Sequence, residues 1–75
     1  MTLEELEQRD IQIMDCGDLF MILPCDVNDE EAWQIDKRTG KLEYISCVEF
    51  LFYEDIAKEI TLDQLKEALH RASYV

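Results

Sequence analysis

The densest run of oxygen ligands in the chain is Asp26-Val27-Asn28-Asp29-Glu30-Glu31. Carboxylates and amides at alternate positions are how a calcium loop of the EF-hand type begins. The match fails where the geometry is most demanding. The sharp turn at the sixth position wants glycine and meets Glu31, and the last position wants a bidentate glutamate and meets Lys37. The run reads instead as a solvated acidic turn with a partner-binding edge at Asp26, Asp29, Glu30 and Glu31. His70 is the only histidine. A zinc site or a general base needs neighbours that it lacks in sequence. A cationic imidazole near a helix C-terminus is favourable for the dipole alone. Cys47 falls in the first turn of an expected helix, where a thiol can be activated, but its neighbours are acidic and oppose that. Gly17 and Gly40 are the only glycines, so there is no phosphate loop, no dinucleotide fingerprint and no nucleophile elbow. The expectation is a non-enzyme with no cofactor and no metal.

What remains is apolar. From Val48 to Tyr53 nearly every position is hydrophobic. A helix apolar all round must be buried on every side or meet a partner, and 75 residues cannot surround it. Trp33, Tyr44 and Phe52 are assigned to the core. Phe50 and Tyr53 are expected to point outward, as a self-association patch or a binding site.

Charge limits the partner. Eighteen acidic residues face seven basic ones, a formal net charge of -11, while 48% of residues are hydrophobic. An acidic disordered tail would combine high charge with low hydrophobicity, so the chain folds. Its field repels nucleic acid and anionic membrane, both of which bind through Lys and Arg. It favours a protein with a basic surface. The lead reading is a small cytoplasmic interaction module, with homodimerisation as one use of its apolar patch. The alternative is an inhibitor that imitates nucleic acid, of the phage or mobile-element accessory type. It would present Asp15, Asp18, Asp26, Asp29, Glu30 and Glu31 to a basic groove. Cytoplasmic location is expected because the N-terminus lacks a basic stretch followed by an apolar one and because three cysteines without a close pair suit reduced thiols.

The elements that must position these residues follow from local patterns. Thr2-Leu3-Glu4-Glu5 is a capping box and predicts a short helix from Leu3 to about Arg9. Ile11 to Cys16 and Leu19 to Leu23, joined by Gly17-Asp18, predict a hairpin with a type II′ turn. The second strand is apolar on both faces, hence central, and Pro24 ends it. Ala32 to Asp36 and Lys41 to Ile45 flank Lys37-Arg38-Thr39-Gly40 and predict a second hairpin. In it Asp36 opposes Lys41, Ile35 opposes Leu42 and Trp33 opposes Tyr44. Tyr44 to Tyr53 is rich in β-branched and aromatic residues, so the strand could simply run on. But Ser46-Cys47-Val48-Glu49 is a capping box and Val48, Phe52 and Ile56 form an i, i+4, i+8 stripe, which favours a helix from Cys47 to about Glu59. Thr61-Leu62-Asp63-Gln64 opens the last helix, whose stripe is Leu62, Leu65, Ala68, Leu69 and Ala72. The sum is one acidic α+β domain over 1–75. It is a small antiparallel β-meander of about four strands with helices packed on one face, in the order α-β-β-β-β-α-α.

Overall fold

The computed structural model describes residues 2–25 and 31–72. Helix α1 (Leu3–Glu7) is followed by strands β1 (Ile11–Asp15), β2 (Leu19–Pro24), β3 (Glu31–Asp36) and β4 (Leu42–Ser46). A 3₁₀ helix (Cys47–Phe52), strand β5 (Lys58–Ile60) and helix α2 (Leu62–Ala72) complete the chain. The five strands form one antiparallel sheet in the order β4-β3-β2-β1-β5. The α+β class and the strand-rich middle agree with the sequence reading, and β2 is indeed central.

Both hairpins form as their turn residues dictate. Gly17 and Gly40 take φ of 83° and 71°, the left-handed region in which glycine has no Cβ to clash. At the first turn the Cys16 N–H donates to the Leu19 carbonyl at 2.9 Å. In the second hairpin Trp33 pairs with Tyr44 and Ile35 with Leu42, the expected register. The Gly40 N–H closes it by donating to the Asp36 carbonyl at 2.7 Å.

Because side chains alternate across a strand, the registers put two sets of residues on opposite faces. Ile60, Ile13, Ile22, Trp33 and Tyr44 form one row across all five strands. The first four of these, with Phe20 and Ile35, meet Leu6 of α1 and Leu65 of α2 in one hydrophobic cluster. Helix α2 is anchored by a full capping box. The Thr61 N–H donates to Gln64 Oε1 at 2.8 Å and the Gln64 N–H to Thr61 Oγ1 at 3.1 Å. The opposite face carries Cys16, Met21, Ala32 and Ile45, covered by Cys47, Phe50, Tyr53 and Ala57.

Three expectations are corrected here. The helices do not all pack on one face: α1 and α2 share one, and the 3₁₀ helix covers the other. The predicted helix from Cys47 to Glu59 ends at Phe52 and is 3₁₀ rather than α, and Ser46 makes no side-chain cap to it. Beyond it, Lys58–Ile60 pairs with β1 as a fifth strand. The physical reason is distance. β4 and β5 are opposite edges of the sheet, so the segment between them must cross the whole face, and a tight helix followed by turns spans that gap while keeping aromatic side chains on the sheet.

Candidate protein-binding surface

The crossing segment is governed by a period of three. In a 3₁₀ helix side chains at i and i+3 eclipse one another. Cys47, Phe50 and Tyr53 therefore stack in one column, and all three pack against the cluster of Met21, Ala32 and Ile45. The Tyr53 N–H donates to the Phe50 carbonyl at 2.9 Å and continues the spacing past the helix end. The Ile56 and Ala57 N–H groups both donate to the Tyr53 carbonyl, at 3.0 and 2.9 Å, which turns the chain back to the sheet at Ala57.

The other two columns face outward. Val48 is 59% exposed, Leu51 68% and Phe52 83%, and Ile56, in the turn beyond the helix, is 58% exposed. Large apolar side chains left this open in so small a domain form a surface that calls for an explanation. Ile56 lies over the first hairpin turn: a Cβ placed on Gly17 would meet Ile56 Cδ1 at 3.6 Å, an ordinary contact distance.

The two residues assigned to this surface from sequence, Phe50 and Tyr53, are half-buried against the sheet rather than outward. Phe52, assigned to the core, is the most exposed of the large apolar side chains. Tyr44, also assigned to the core, is 64% exposed, because β4 is an edge strand; its ring meets that of Trp33 on the neighbouring strand edge-on at 5.9 Å. Trp33 is buried as expected, with the Arg9 guanidinium over its ring at 5.4 Å. The signal for the true orientation was present: 47, 50 and 53 are spaced by three, whereas the stripe read from the sequence used four.

Of the acidic edge, Asp26, Asp29 and Glu30 lie outside the described residues. Glu31 opens β3, exposed, with Arg9 at 3.9 Å. Asp15 is engaged elsewhere. It accepts from Lys37 Nζ at 2.7 Å and from the Gly17 N–H at 3.1 Å. Burial pushes its carboxyl up, but those two hydrogen bonds and the charges of Lys37 and Lys58 outweigh burial and hold it below the usual carboxylate value.

The electrostatics of the surface are one-sided. Ion pairs engage Arg9, Lys37, Arg38, Lys41, Lys66 and Arg71, six of the seven basic residues. None of these pairs includes Glu49, Glu54 or Asp55, the exposed carboxylates interleaved with Val48, Leu51, Phe52 and Ile56. Residues 42–57 contain no lysine or arginine.

Other clusters offer less. A cleft of about 320 Å³ between α2 and the sheet is lined by Phe20, Ile60, Ala68 and Ala72 with the Asp15–Lys37 pair at its edge, so its charges already neutralise each other. The thiols of Cys16, Cys25 and Cys47 are unpaired with one another. Burial, then the Asp15 charge, pushes the Cys16 thiol up. Local desolvation, then Asp10, pushes the Cys25 thiol up too, the opposite of activation. Among the described residues no group of three or more His, Cys, Asp or Glu comes together to hold a metal, and no helix is long and apolar enough to cross a membrane. No protein-family model matches the chain, and comparison with curated proteins and with solved structures finds no significant match.

Proposed function

We infer that this chain is a small, non-enzymatic interaction module of the cytoplasm, which binds a protein partner through the outward columns of its crossing segment. The observation that carries the reading is the exposure of Val48, Leu51, Phe52 and Ile56 on one short stretch whose third column is already used by the core. Exposing four large apolar side chains is unfavourable in water. Burying each in full contributes about 1.5–3 kcal/mol, enough to drive association even after the cost of ordering two molecules. Phe52 is the anchor, since binding energy concentrates in a few central aromatic or cationic residues. The unpaired thiols suit a reducing compartment.

Imitation of nucleic acid is the weaker reading. A groove needs carboxylates on one side. Glu43 and Glu59 share their sheet row with Met21, on the face of the crossing segment, whereas Glu4 and Glu5 sit on α1 across the sheet.

The test is site-specific photo-crosslinking in cells. Benzoylphenylalanine in place of Phe52 is expected to give one discrete protein adduct, and the same probe in place of Glu67, on α2, none. Adducts from position 67 but not from 52 would move the binding surface to the other face.

A further inference from the structure

Resting on that reading, we propose that the partner element seated on the crossing segment is a cationic amphipathic helix: one apolar stripe flanked by Lys or Arg. Three observations lead there. The first is shape. Val48 and Leu51 eclipse to make a short ridge, and Phe52 stands beside it in the next column. A single ridge of this kind seats in the groove between side-chain rows of an α-helix, as in ordinary helix packing. The second is length. Six residues of 3₁₀ helix rise about 12 Å, and the turn to Ile56 extends the apolar strip further. That matches about three turns of α-helix, and is short for a sheet or a broad protein face.

The third is charge. Glu49, Glu54 and Asp55 border the strip, no lysine or arginine lies within 42–57, and Arg9, Lys37, Arg38, Lys41, Lys66 and Arg71 are engaged in ion pairs with other carboxylates. Burying the strip against a neutral helix would desolvate these carboxylates without compensation. A second copy of the chain would set three carboxylates against three, and a net charge of -11 against another. Lys or Arg flanking the apolar stripe turns the same carboxylates from a penalty into an attraction that also speeds the encounter.

The probe is a synthetic, fluorescein-labelled peptide of about 14 residues, rich in Ala, with Leu at three- and four-residue spacing and Lys beside the stripe. Two controls accompany it: the same composition with Leu and Lys redistributed so that no stripe forms, and the striped peptide with Glu for Lys. Fluorescence anisotropy against the full chain is expected to show saturable binding of the first peptide. Each control should bind at least tenfold more weakly, about 1.4 kcal/mol. Phe52→Ser should weaken the first peptide at least tenfold. Glu54→Gln with Asp55→Asn should weaken it and flatten its salt dependence. Circular dichroism melts check that each variant stays folded.

Equal binding of the peptide without a stripe would overturn the proposal, because the attraction would then be charge alone. So would binding that ignores Phe52→Ser, binding of no peptide, or a dimer in light scattering that Phe52→Ser dissociates. If crosslinking at position 52 captures a protein while the peptide fails, the surface stands and the helix falls. If both fail, the surface falls as well.

Discussion

Phe50 and Phe52 stand two positions apart, and the structure assigns them opposite energetic roles. Phe50 packs half-buried on Met21, Ala32 and Ile45, whereas Phe52 is 83% exposed. Truncating a fully buried Phe to Ala typically costs about 3–5 kcal/mol, counting lost transfer energy and the cavity. Phe50 keeps part of its ring in water, so about half of that, roughly 2 kcal/mol, is expected for Phe50→Ala. Phe52→Ala removes almost no buried area and should fall within about 0.5 kcal/mol of the parent chain. A domain of 75 residues has roughly 4–11 kcal/mol of total stability, so the first change is plain in a urea titration and the second nearly invisible. Trp33, buried at 4% exposure, reports unfolding by fluorescence, and far-ultraviolet circular dichroism tests that the two signals coincide. The α-helical stripe of Val48, Phe52 and Ile56 would put Phe52 on the sheet and reverse the ranking. A Phe52→Ala variant less stable than Phe50→Ala would therefore refute the period-three orientation and remove the basis of the binding surface.

Thr61→Ala breaks one arm of the capping box at the start of α2 and is expected to cost about 1 kcal/mol, lowering Tm by about 4–8 °C in a thermal melt. The Asp15 carboxyl lies lower in the folded chain than in the unfolded one, so it contributes stability above the unfolded value near 3.8 and loses it as pH falls through the folded value. Asp15→Asn should therefore be less stable than the parent at pH 7, by under about 1 kcal/mol because the Asp15–Lys37 pair is partly exposed, and urea titrations should show that gap closing as the pH falls below the unfolded carboxylate value.

Most of the sheet was legible because its signals are local. Gly17 and Gly40 each need a left-handed backbone at a turn, and once Gly40 closes its hairpin the pairing of Trp33 with Tyr44 follows by counting. The capping boxes at Thr2 and Thr61 fix the starts of α1 and α2 in the same way. The capping pattern at Ser46 misleads because no side-chain bond is made there. Strand β5 was hidden: Lys-Glu-Ile is too short to alternate visibly, and its pairing with β1 is set by a partner over forty residues away. That an apolar surface would be left exposed was readable from composition, since a stretch apolar at nearly every position cannot be wholly covered by so small a chain. The members of that surface were not readable, because choosing between Phe50 and Phe52 requires knowing whether the period is three or four.

That choice also decides how the surface is kept available. An α-helix would have laid Val48, Phe52 and Ile56 on the sheet and turned Phe50 and Tyr53 outward. The sheet needs its own cover over Met21, Ala32 and Ile45, and the 3₁₀ column of Cys47, Phe50 and Tyr53 supplies it. Cover and contact surface are thus separate columns of one segment, which leaves Phe52 free of any role in the core. On the proposed reading, docking energy at Phe52 could then change without loss of folding. The same division leaves the carboxylates of 49, 54 and 55 exposed at the strip's border, where, on the proposed reading, they would oppose self-association of the exposed apolar residues until a cationic partner compensates them.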